Sequence, residues 1–178
     1  MNYSLIDVRP KSGSVGAEIF GVDLNKELKE EQFLEVKSAF RQFGVIFFRD
    51  QKLTPDKEIK FAEKWGKINI NRFFTHVENY PQIAMVLKEP DQKRNIGGAW
   101  HTDHTYDIEP AMGSILFAHE VPKKGGDTMF SSMYSVVSSN LSSIMCSILS
   151  SVMSPSLSSI VYSILFSIMS SMVVSIMS

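Results

Sequence analysis

Trp100-His101-Thr102-Asp103 is the stretch of this 178-residue chain whose residue types and spacing could do chemistry. On an extended strand, alternate side chains point to the same side, about 6.5 Å apart along the chain. His101 and Asp103 can therefore aim an imidazole nitrogen and a carboxylate oxygen at one ion. Two histidines and one carboxylate on one face of a metal, with the other positions open, is the ligand set of Fe(II)-dependent O2 chemistry. The open face matters because a co-substrate and O2 must both reach the metal. Nitrogen with hard oxygen donors suits Fe(II) better than a closed structural zinc site, which favours cysteines. On its own, His-x-Asp equally describes a surface strand with two polar side chains.

The elements that must position this motif can be read from periodicity. Val15 to Phe20 is a first strand, broken by Gly21 and Asp23. Phe33, Val36, Phe40 and Phe43 recur at helical spacing, and Gly44 follows as a C-terminal stop. Val45 to Phe48 is a short, continuous apolar run, the pattern of a strand buried on both faces. Thr54-Pro55 reads as an N-cap followed by proline in the first turn, opening a helix through Ile59, Ala62 and Trp65 that ends at Gly66. Ile83 to Leu87 is a further strand, and Asp91 to Gly98 a polar, glycine-tipped loop. Ser114 to Glu120 and Asp127 to Ser131 read as strands of a hairpin joined by Val121-Pro122-Lys123-Lys124-Gly125-Gly126. Helices first and strands after them predict an α+β domain.

A formal net charge of -1 gives no reason to expect nucleic acid or an acidic membrane as partner. The single cysteine, Cys146, rules out an intrachain disulfide and fits a reducing compartment. The N-terminus meets Asp7 and Arg9 with no apolar run before them, unlike a secretory signal. A cytoplasmic protein is the expectation. Composition breaks near Tyr134. Every charged residue lies at or before Asp127, and from Ser135 to Ser178 there is no Asp, Glu, Lys, Arg, His, Gly, Ala or Thr. A folded surface carries roughly a quarter charged residues, so residues 135–178 read as foreign to the domain formed by residues 1–134. A frame-shifted or misread end, a disordered or aggregating tail, and a membrane segment are the alternatives. Serine interrupts every apolar run and no Lys or Arg flanks the segment, which makes the membrane reading the weakest.

The stretch GGAWHTDHTYDIEPAMGSILFAHEVPKKGGDTMF, with GVIFFRDQKLTPDKEIKFAEKWG upstream, resembles the taurine/2,4-dichlorophenoxyacetate dioxygenase family (TauD/TfdA). The resemblance covers roughly residues 5–134. It implies a double-stranded β-helix (jelly roll) with flanking helices, of which this chain holds the N-terminal part. It also implies an enzyme that couples oxidative decarboxylation of 2-oxoglutarate to hydroxylation of a small organic substrate, releasing succinate and CO2. Fe(II) is then the metal, 2-oxoglutarate the co-substrate and O2 the oxidant, with a homo-oligomer expected of the complete enzyme. Carried over by position, His101 and Asp103 become Fe(II) ligands, and Thr128 matches the threonine whose hydroxyl helps hold the 2-oxoglutarate carboxylate. Gly125 and Gly126 allow the turn before it, and Trp100 packs beside the metal.

The family completes its site with a distal histidine and an arginine, both far downstream of the Gly-Gly-Asp-Thr turn. Here the last histidine is His119 and the last arginine is Arg94, so neither role is assigned. His119 reads as a core or edge residue of its strand. In taurine-cleaving members a histidine and a tyrosine contact the sulfonate; Asn71 and Phe74 stand there, and Gly97 stands where a polar contact would sit. These three are the candidate substrate-contacting positions, and they argue against taurine itself. His76 and His104 read as solvated loop residues. The competing reading is a non-catalytic, truncated or frame-shifted remnant with at most weak metal binding.

Overall fold

The computed structural model describes residues 3–13, 15–89, 91–93, 101–102, 107–122, 127–132 and 172–177. The elements run β1 (Asp7–Ser12), β2 (Val15–Phe20), α1 (Glu30–Phe43), β3 (Val45–Phe48), α2 (Pro55–Glu63), β4 (His76–Val77), β5 (Tyr80–Ala84), β6 (Gly113–Ala118) and β7 (Met172–Met177). β1 and β2 form an antiparallel hairpin in which Asp7 faces Phe20 and Ser12 faces Val15. The five-stranded sheet has the order β1-β2-β3-β7-β6, with every pair after the first parallel. β4 and β5 make a separate two-stranded hairpin. Its two-residue turn is Glu78-Asn79, and Asn79 takes φ 64, a conformation that asparagine tolerates better than most residues.

The apolar spacing on α1 forms as read. Phe33, Val36, Ala39, Phe40 and Phe43 are buried against the sheet. Gly44 ends the helix at φ 69, with its N–H donating to the Phe40 carbonyl at 2.8 Å. β3 follows at once and sets Val45, Ile46 and Phe48 in the core, whereas Phe47 is only half-buried, beside the Arg49 guanidinium. Trp65 joins the two helices to this core. Its ring meets Phe33 and Phe40 edge-on at 5.1 Å and Phe61 at 5.9 Å. Glu18 is buried on β2, where Lys11 and Arg49 both pair with its carboxylate.

Several local expectations shift. α2 stops at Glu63, and Trp65 and Gly66 instead close tight turns onto the carbonyls of Ala62 and Glu63. Thr54 caps α2 through its backbone carbonyl, which accepts from Lys57 and Glu58, with no side-chain capping bond. The strand placed at Ile83 to Leu87 is Tyr80–Ala84, and Met85, Val86 and Leu87 run on exposed. The strand ending at Glu120 ends at Ala118. Residues 127–132 have no strand partner among the described residues, so the expected Ser114–Ser131 hairpin does not form there. The side-by-side partner of β6 is β7, from residue 113 paired with 172 to residue 118 paired with 177. A parallel pair needs a long connection, and no local turn signal could announce it. Two helices, a mixed sheet and a hairpin make an α+β arrangement; a closed jelly roll is not formed by the described residues. No helix among them is long and apolar enough to cross a membrane.

Candidate active site

His101 and Thr102 lie in irregular backbone, both exposed, rather than on the strand their spacing suggested. Asp103, Gly97, Trp100, His104, Gly125 and Gly126 lie outside the described residues, as do residues 94–96 of the polar loop and 133–171 of the serine-rich segment. Thr128 is exposed and irregular. Among the described residues, no group of three His, Cys, Asp or Glu side chains gathers round a point that could hold a metal. The donor chemistry of His101 and Asp103, one neutral nitrogen and one hard oxygen, fits Fe(II) at two positions. No histidine follows His119 in the sequence, so the distal histidine that the resemblance implies has no counterpart among these 178 residues.

The loop from Asn71 to His76 is organised by its own side chains. Asn71 Oδ1 accepts the backbone N–H groups of Phe73 at 2.8 Å and Phe74 at 3.2 Å, an Asx turn. His76 Nε2 lies 2.7 Å from the Asn71 carbonyl, which can only accept, so Nε2 carries the proton in that bond. The Met85 N–H donates to the Thr75 carbonyl at 2.8 Å and ties the loop to the end of β5. Phe74 and His76 are half-buried within this turn. His76 is the half-buried first residue of β4 rather than the solvated loop residue expected.

Two contacts fasten this hairpin to its surroundings. Tyr80 Oη donates to Asp56 on α2 at 3.3 Å, and the Asp56 charge raises the phenol above its ordinary range. An Arg72 guanidinium nitrogen donates to Asp107 Oδ1 at 3.0 Å, across 35 positions of sequence. Asp107 lies four residues beyond Asp103, so this pair joins the loop of Asn71 and Phe74 to the chain that follows the candidate motif. Sequence reading missed it, since charges 35 positions apart carry no periodic signal. A second feature also had no sequence signal. Burial on α2 raises the Glu58 carboxyl above its ordinary range, with the nearby His119 charge acting in the opposite sense. His119 itself is exposed just past β6, its ring edge-on to Phe117 at 4.7 Å, so it is neither in the core nor on the strand.

Comparison with known proteins agrees with the motif. The family described as taurine catabolism dioxygenase TauD, TfdA matches residues 7–141, a little past the compositional break. An alpha-ketoglutarate-dependent sulfonate dioxygenase of Saccharomyces cerevisiae is 29% identical over 141 residues, 73% of this chain and 34% of that protein. An (S)-phenoxypropionate/alpha-ketoglutarate-dioxygenase of Sphingobium herbicidovorans is 30% identical over 134 residues, 71% of this chain and 45% of that protein. The crystal structure of a taurine dioxygenase from Burkholderia xenovorans superposes with a TM-score of 0.50 at 31% identity, covering 61% of this chain and 38% of that one. The chain therefore spans less than half the length of these relatives. With the family matched over residues 7–141, this chain belongs to the TauD/TfdA family of alpha-ketoglutarate-dependent dioxygenases.

Proposed function

We propose that this chain is part of an Fe(II)/2-oxoglutarate-dependent dioxygenase that hydroxylates a small organic substrate and releases succinate and CO2. The observation that carries the reading is His101-Thr102-Asp103 followed by Gly125-Gly126-Asp127-Thr128 inside the family match. His101 and Asp103 would hold Fe(II), which when bound supplies the activation of O2. The Thr128 hydroxyl would donate to a 2-oxoglutarate carboxylate. Asn71, Phe74 and the position of Gly97 would border the substrate, with the Asn71 oxygen shaping the loop from within. Relatives named for sulfonates and phenoxypropionate support a small organic substrate. We further read residues 1–134 as the first part of a jelly-roll domain with flanking helices, cytoplasmic, and residues 135–178 as foreign to it in composition, even though residues 172–177 pair with β3 and β6 as β7.

A second reading, a remnant that binds metal weakly and does no chemistry, is favoured by the loss of all charge after Asp127 and by the lack of any histidine after His119. Two measurements separate them. The coding DNA downstream of codon 134, read in its other two frames, should contain a late histidine followed by an arginine if the serine-rich stretch is a misread end. Its absence in every frame removes the enzyme reading for this locus. Anaerobic Fe(II) with 2-oxoglutarate gives a visible charge-transfer band in a complete site, and the 178-residue chain is expected to show little or none. Succinate release by this chain above a metal-only control would overturn that expectation.

A further inference from the structure

We infer that the Arg72–Asp107 ion pair is a latch that positions the Asn71–His76 loop against the segment carrying His101 and Asp103. Its relevance to metal binding rests on the proposed role of those two residues. The loop is closed by its own bonds: Asn71 to the amides of Phe73 and Phe74, His76 to the Asn71 carbonyl, Met85 to Thr75. Whatever holds Arg72 therefore holds Phe74 as well. On the other side, Asp107 is four residues from Asp103 and six from His101. Chain reach then limits His101 to within about 21 Å of Asp107.

The pair has features that an ordinary surface ion pair lacks. The Asp107 side chain is only 19% exposed, so its carboxylate is largely withdrawn from water and gains from a fixed cation. The Arg72 guanidinium carbon sits 5.1 Å from the Phe73 ring centre, which restrains a side chain that is otherwise 62% exposed. A guanidinium already restrained by a neighbouring ring loses less freedom on pairing. Arg72 is thus a positioning residue, acting on the metal segment and the substrate loop together.

Hydrogen exchange on the full chain tests the latch, read at the Phe73 and Phe74 amides. Asp107→Asn keeps the side-chain shape and removes the charge, and Arg72→Gln removes the partner. Each should speed exchange at both amides by about two- to fivefold, and the charge-reversed double variant Arg72→Asp/Asp107→Arg should bring it back to within about 1.5-fold of the parent. Arg9→Gln, which removes another exposed ion pair, should leave these amides unchanged. If the reversed pair fails to fold, Arg72→Lys, which retains a charge, must restore most of the protection. Singles that change exchange by less than twofold, or a folded rescue variant that restores nothing, overturn the latch. Co(II) binding by the same variants addresses the reading beneath it: about two- to fivefold weaker binding in the singles upholds both. A chain that loses loop protection in the singles but binds no Co(II) upholds the latch and overturns its link to metal binding.

Discussion

Replacing Phe40 with alanine should unfold this chain at markedly lower denaturant, for reasons that can be added up. Phe40 is 2% exposed, on the face of α1 that meets β2 and β3. Withdrawing its side chain from water contributes about 1.5–3 kcal/mol. Its edge-on contact with Trp65, at 5.1 Å and 71°, adds roughly 0.5–1.5 kcal/mol. The hole left behind cannot collapse fully, since α1 runs directly through Gly44 into β3 and is tied at its middle to the residues before β1, where Glu35 accepts the N–H groups of Ser4, Leu5 and Ile6. A total of about 3–5 kcal/mol follows. Urea unfolding followed by far-ultraviolet circular dichroism should show the midpoint falling by about 2 M with an unchanged slope, taking the slope as roughly 2 kcal/mol per M. Leu34→Ala, on the same helix and 54% exposed, is the matched control and should move the midpoint by less than about 0.3 M. A Phe40→Ala midpoint within 0.5 M (about 1 kcal/mol) of the parent, or an equal loss in Leu34→Ala, would refute the packing argument.

Two further outcomes follow from the sheet. The Glu18 carboxyl is held below its ordinary value first by the hydrogen bond from Lys11, with the charges of Lys11 and Arg49 adding to it and burial opposing. Its ionised form is therefore favoured in the fold, and the stability it contributes is present above the unfolded carboxylate pKa and lost as pH falls through the lower folded value. Glu18→Gln should flatten the acid limb of the stability-against-pH curve below about pH 4.5, and an acid limb identical to the parent's would count against this pairing. Val174 faces Ile46 on one side and Ile115 on the other, so Val174→Pro removes a ladder donor from a central strand. Amide exchange across Ile115–Phe117 should speed up roughly tenfold or more, while the β1–β2 hairpin keeps its protection. Unchanged exchange at Ile115–Phe117 would mean that β7 does not hold β6.

What was legible in the sequence was local. The 33, 36, 40, 43 spacing specified one face of α1, because a 3.6-residue period puts those side chains on one stripe whatever they later meet. Gly44 marked the helix end because its φ of 69 strains residues with a Cβ. The His-x-Asp motif and the downstream Gly-Gly-Asp-Thr identified the family, since ligand chemistry restricts residue type directly. Tertiary structure decided which segments meet. A side chain has no sequence signal for a partner far away along the chain, so Trp65 closing on both helices, β6 pairing with residues 172–177, and Arg72 reaching Asp107 were all invisible beforehand. The candidate metal motif was named by its residues; the Arg72–Asp107 contact, which the fold alone brings together, is what ties the chain at Asp107 to the loop of Asn71 and Phe74.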